Sequence, residues 1–253
     1  MRKLTLLFLS AIFALTFTAN AQETTPGAAA PEEESPFSMD ITLNSDAFFG
    51  FYPFFAGSYA LSESSAFTFY GILWSGGTAG GWGNWTEVGV GYNFSPFDGL
   101  DINPQIGLLS GSLLSGLGTP HLGEGIVPNL TVGLDLDHIE GELYAGYYHG
   151  FDRNDIGTNN YLHWWLSSGY KFGNGFFSAG LHLEHLRYMG GVGEEGTASD
   201  LYLALGPYIQ FADPTGGAFA RFSTGLDLRS DEEVAASGVD QPSFWKLTVG
   251  YSF

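Results

Sequence analysis

Ser243-Phe244-Trp245-Lys246-Leu247-Thr248-Val249-Gly250-Tyr251-Ser252-Phe253, the last eleven residues of the chain, alternate strictly in polarity from Trp245 onward. Trp245, Leu247, Val249, Tyr251 and Phe253 fall on one side, and Lys246, Thr248, Gly250 and Ser252 on the other. A period of two with one apolar face predicts a β-strand between an apolar and a polar surface.

Working back from that strand, the chain divides into about twelve alternating segments. They are 38–50, 53–61, 65–74, 84–95, 100–113, 126–137, 140–150, 160–172, 175–188, 200–211, 217–229 and 243–253. The pattern is clearest where Leu130, Val132, Leu134 and Leu136 oppose Thr131, Gly133, Asp135 and Asp137. One such strand also suits a soluble sheet; twelve in succession predict a transmembrane antiparallel up-and-down β-barrel. The connections support this reading. Long segments at 75–83, 114–125, 151–159, 189–199 and 230–242 alternate with short ones near 62–64, 96–99, 138–139, 173–174 and 212–216. The first hairpin tip, near Phe51-Tyr52-Pro53, is short where a long loop is due. Ten or fourteen strands therefore stay compatible with the pattern.

The ending also resembles the C-terminal strand signal of bacterial outer-membrane β-barrel proteins. The residues that carry the likeness are Phe253, Tyr251, Val249 and Leu247. The resemblance implies recognition by the barrel-assembly machinery, contact with outer-membrane lipids, and a Gram-negative-type cell. At the other end, Arg2 and Lys3 precede the apolar run from Leu4 to Phe17 and then Ala19-Asn20-Ala21. That order reads as a secretory signal peptide over residues 1–21. Residues 22–36 are acidic, small and Pro-broken, and read as a disordered periplasmic tail. The barrel is expected over 37–253, with both ends of the domain in the periplasm.

Composition agrees. Charged residues make up 14%, where about a quarter is usual in soluble domains, and 37 glycines suit many strands with tight turns. There is no Cys, which excludes disulfides and thiol catalysis. Removing Arg2 and Lys3 with the leader leaves 6 basic against 27 acidic residues, so phosphate-backbone binding to nucleic acid is excluded.

With the apolar residues outside, the expected lumen wall carries Asp40, Asp46, Glu87, Asp101, Asp135, Asp137, Glu142, Glu184 and Asp227. Facing them are Lys171, Arg221, Arg229 and Lys246, with His163 and His182 titratable. Such a surplus of acids favours a water-filled lumen that attracts cations, or else a wall braced by salt bridges. Trp85, Tyr144, Tyr148, Trp165, Tyr202 and Tyr208 also face inward, as stacking surfaces or as filler. Trp74, Tyr92, Phe94, Tyr147, Tyr170, Phe172, Phe211, Tyr251 and Phe253 are expected in interfacial girdles.

Leu181-His182-Leu183-Glu184-His185 splits across both strand faces and predicts no metal site. His163 and Ser167 share a face but lie too far apart to bond directly. His149 and His185 point to lipid without an adjacent nucleophile, so no catalytic site and no cofactor are expected. The acidic loop residues, among them Glu124, Asp152, Asp155, Glu194, Glu195 and Asp200, read as solvated. The reading is a passive porin-like channel for small polar, cationic or neutral solutes. The alternatives are a closed structural or adhesin-like barrel with acidic loops, and a membrane-embedded lipid hydrolase.

Overall fold

The computed structural model describes residues 35–75, 84–114, 120–151, 158–191 and 198–253. The leader, nearly all of the acidic tail and four loop tips, with Asp152, Asp155, Glu194 and Glu195, lie outside the described residues. Twelve strands follow in order: β1 (Phe37–Asp46), β2 (Gly50–Ser62), β3 (Ser65–Ser75), β4 (Asn84–Phe97), β5 (Leu100–Gly111) and β6 (His121–Asp135), then β7 (Ile139–Gly150), β8 (Tyr161–Phe172), β9 (Phe177–Tyr188), β10 (Ser199–Ala212), β11 (Ala218–Asp227) and β12 (Ser243–Ser252). Each pairs antiparallel with its sequence neighbour, and β12 pairs with β1 to close the barrel.

Closure follows from the two terminal strands. Asp40 faces Ser252 and Asp46 faces Lys246 in register. Beyond that ladder, the Phe253 amide donates to the Met39 carbonyl at 2.9 Å, and the Met39 amide returns the bond at 3.2 Å. A barrel without an edge satisfies its backbone internally, as a lipid environment requires. Leu43, Val90, Ile106, Leu166, Leu181, Ile209 and Val249 stand exposed on the outer wall. Near the end where β1 begins and β12 ends, Tyr92, Phe94, Tyr170, Phe172, Phe211, Tyr251 and Phe253 form an aromatic ring. An apolar belt with an aromatic girdle is the surface of a membrane-spanning barrel.

Trp74 departs from the expected girdle. It shares a face with Tyr70 and Ile72, is 6% exposed and points into the lumen. Several boundaries also move. β6 starts at His121, which puts Glu124 in a strand, where its Oε1 accepts the Leu113 amide at 2.9 Å. β10 includes Asp200, and an irregularity between Asp200 and Tyr202 turns Leu201 inward. Asp137 lies in the turn between β6 and β7, off the wall. The segment 230–242, expected as loop, contains helix α1 (Asp231–Ser237). Its capping box is the Ser230-x-x-Glu233 pattern: Glu233 Oε2 accepts from the Ser230 amide at 2.7 Å, and Ser230 Oγ accepts from the Glu233 amide at 3.3 Å. These bonds from Ser230 hold the Glu233 carboxyl below the usual glutamate range.

Glycines inside the strands seat aromatic rings. A Cβ on Gly89 would fall on the Tyr70 ring, one on Gly169 on Tyr208, and one on Gly250 on Phe219. Each ring lies against the wall because the strand beneath it has no side chain.

Candidate functional site: the lumen

The end that carries the long loops is closed by the shortest connection there. Asp46 ends β1, and its Oδ1 accepts the Phe48 amide at 2.9 Å and the Phe49 amide at 2.5 Å. A carboxylate capping the amides just after it bends the turn over its own strand. Gly50 supplies a φ of +76° on the way back. The turn 47–49 therefore points into the barrel, with Phe48 and Phe49 only 5% and 7% exposed.

The Phe48 ring lies 4.7 Å from Tyr202, and Phe49 lies 5.0 Å from Trp74 and 5.3 Å from His163. Tyr52, Trp74 and Trp85 stack in turn at 4.5 and 5.5 Å. With Leu109, Val127, Tyr148, Leu186 and Phe244, these side chains fill the loop-end half of the lumen. Here the inward aromatics are filler: they stack on one another and expel water.

Beneath the aromatic cluster, Glu184 is fully buried and takes four donors. Its Oε1 accepts from the Tyr202 hydroxyl at 2.7 Å and His163 Nε2 at 3.0 Å. Oε2 accepts from His182 Nε2 at 2.9 Å and Lys246 Nζ at 3.3 Å. With Nε2 of a neutral His182 donating, Nδ1 accepts from the Ser167 hydroxyl at 2.7 Å. Reading along single strands missed this Ser–His–Glu line. Its signal lies in register, since Ser167 faces His182 across β8 and β9. Ser167 is 1% exposed and does not line the cavity below, so the line braces the wall.

Most of the other lumen acids find donors, although Glu87 Oε2 and Asp46 Oδ2 are buried without a hydrogen-bond partner among the described residues. Glu142 accepts from Arg221 at 3.0 Å and from the Trp165 indole at 2.8 Å. Glu87, fully buried, accepts from the Tyr70 hydroxyl at 2.7 Å. Lys171 pairs with Asp135 at the mouth where β1 begins and β12 ends, and Asp135 is largely exposed there. Asp101, at the same mouth, accepts from Asn93 and Ser95, and Asp40 lies toward the same end on β1, in register with Ser252. Asp227 belongs to the loop-end rim: with Arg229 it ties down the last loop, and Arg229 also donates to the Val239 carbonyl and to Ser237.

Thus Lys171, Arg221, Arg229 and Lys246 each meet one acid. Of the two readings of the acid surplus, the wall braced by salt bridges describes these four pairs. Burial forces each carboxylate to find donors of its own. The sequence reading also passed over Glu140. It is buried, and accepts from Ser178 at 2.7 Å, Tyr208 at 2.6 Å and Gln210 at 3.0 Å. The 140/142 alternation would have placed it inside beside Glu142. His185 faces outward as expected, but it accepts from the Trp164 indole at 2.9 Å and donates to Asp200 at 2.8 Å, with Arg187 on the same oxygen. No group of three metal-ligating side chains occurs among the described residues.

Between the aromatic plug and the mouth lies a cavity of about 240 Å³, bordered by Asn44, Gln105, Glu142, His182, Arg221 and Lys246. Trp165 stacks on Tyr144 at 4.2 Å and carries Lys246 Nζ 4.6 Å from its ring centre.

A family profile matches the chain over residues 1–253. The chain belongs to DUF6733, a family of unknown function. No curated protein matches this DUF6733 chain. Among solved structures it is similar to the KdgM porin in complex with disordered oligogalacturonate, at 17% identity and TM-score 0.47, over 85% of this chain and 99% of that one. It is similar to the NanC porin at 13% identity and TM-score 0.49, over 85% and 98%. The COG4313 outer membrane channel from Pseudomonas putida F1 gives 13% identity and TM-score 0.48, over 91% and 99%. None of these carries its solute over to the DUF6733 barrel.

Proposed function

We propose that this chain is a porin-like outer-membrane barrel, with its termini in the periplasm, that admits small neutral or cationic polar solutes and is closed at its loop end in the form described. One observation carries the reading: packing is confined to the loop-end half, where the turn Ala47-Phe48-Phe49 lies among wall aromatics on top of a cavity, rather than filling the barrel throughout. Twelve strands lie between the eight-stranded barrels filled by side chains and the roughly sixteen-stranded ones that hold an aqueous channel. The two amide bonds to Asp46 and the Ala47 amide on the Trp245 carbonyl at 3.0 Å hold the turn, and releasing Phe48 and Phe49 leaves the register of β1 on β2 in place.

Because the wall cations are matched by acids, any cation preference should come mainly from the exposed mouth acids and should fade as salt rises. The leader, the outer-membrane lipids and the barrel-assembly machinery complete the proposal as the means of delivery and insertion. The aromatic plug also favours a second reading, a closed structural barrel presenting acidic loops. Planar-bilayer conductance separates the two. The channel reading expects rare openings in the native protein and frequent ones in Phe48→Ala/Phe49→Ala, while silence from both leaves the closed barrel.

A further inference from the structure

The cavity under the plug has two unlike walls. Phe54, Thr42, Gly250 and Phe219 follow one another in register across β2, β1, β12 and β11. Phe219 lies over Gly250 and borders the cavity, and Phe54 borders it as well. This side offers two ring faces with the Thr42 hydroxyl between them, flanked by Asn44, Thr248 and Arg221. Across the barrel, β5 and β6 present Gln105, Asn129 and Thr131 to the same space, with Gln105 facing Asn129 in register. Asn129 Nδ2 is spent on the Tyr70 hydroxyl at 2.8 Å and the Val127 carbonyl at 3.3 Å. Its Oδ1 is buried without a hydrogen-bond partner, although the residue is only 8% exposed. A buried acceptor left open costs free energy unless something supplies a donor.

Charge and size narrow what fits. The permanent charges at the cavity cancel, since Arg221 is paired with Glu142, and Lys246 with Glu184 behind the wall. A volume near 240 Å³ equals the liquid share of about eight waters, and covalently bonded atoms pack more densely, so roughly a dozen non-hydrogen atoms fit.

We propose that this cavity binds one neutral, polyhydroxylated ring molecule of monosaccharide size, with its C–H face on Phe219 and Phe54 and its hydroxyls on Gln105, Asn129 and Thr131. The proposal rests on the channel reading for how such a molecule enters. A ring with an apolar face and a polar rim matches one aromatic and one amide wall.

The test is titration of the detergent-folded barrel with D-glucose, D-glucuronate and D-glucosamine, followed by intrinsic tryptophan fluorescence, since Trp74 and Trp165 border the cavity. A saturable change with glucose is expected, with both charged sugars weaker. Gln105→Leu with Thr131→Val should weaken glucose about tenfold in a barrel that still shows heat-modifiable migration. Should that pair fail to assemble, Gln105→Glu keeps the shape and should shift preference toward glucosamine. The proposal is overturned by no saturable response to glucose, by equal affinity for either charged sugar, or by no change in the variants. Absent conductance with intact binding would remove the channel reading alone.

Discussion

The Phe48 amide donates to Asp46 Oδ1 at 2.9 Å, and this bond turns the tip of the first hairpin into the barrel instead of out into solvent. Two phenyl rings thereby close a lumen whose remaining loop-end connections are long. Asp46→Ala should free both amides and loosen the turn while leaving the ladder intact. Single-channel recordings should show more frequent openings than in the native protein. Unchanged gating would mean that ring packing alone, with no help from the carboxylate, holds the plug.

Glu184 draws donors from four different side chains, and Lys246 depends on it. Glu184→Gln should leave Lys246 a buried cation without its carboxylate and destabilise the barrel by about 3–5 kcal/mol. The double variant with Lys246→Met should recover much of that loss, because no uncompensated charge is left. Urea unfolding in lipid vesicles measures both. A double variant as weak as the single one would show that packing, not charge, dominates here.

Gly89 and Gly133 both face the lumen but differ in what stands over them. A Cβ on Gly89 would meet the Tyr70 ring and push its hydroxyl off Glu87, whereas a Cβ on Gly133 would find only Asp101 Cβ at 3.9 Å. Gly89→Ala should cost about 1–3 kcal/mol, and Gly133→Ala close to nothing. Equal thermal midpoints for the two variants would refute the ring-seat account.

Phe253 exchanges two backbone bonds with Met39 where the barrel closes. Removing it should lower the yield of heat-modifiable barrel in outer-membrane fractions. Phe253→Asp should do the same although its backbone bonds can still form, if the aromatic side chain is what assembly reads. Normal yields of the aspartate variant would restrict the role of this position to closing the seam.

The facing of most strands was legible in the sequence, because a period of two is a local property of the chain. Leu247, Val249, Tyr251 and Phe253 stand outside, and Lys246 inside, as their alternation requires. The short turns were legible for the same reason, whereas the helix that the Ser230-x-x-Glu233 pattern caps was read as loop. Trp74 was misplaced because an aromatic near a strand end reads as girdle until its phase is compared with that of Tyr70 and Ile72.

The tertiary structure decided who meets whom. Arg221 reaches Glu142 across 79 positions of sequence and Tyr208 reaches Glu140 across 68, while Ser167 meets His182 only through the register of β8 on β9. Alternation says that a side chain points inward, but the strand stagger and the curvature of a closed barrel decide what lies opposite. The sequence by itself determined an antiparallel barrel of about twelve strands with acids on its inner face. Only the closed sheet decided that those acids are individually held, and that two phenylalanines from a short turn occupy the space that composition had assigned to water. Burial on all sides at that end removes the solvent that would otherwise screen the charges, so each one must find its own partner.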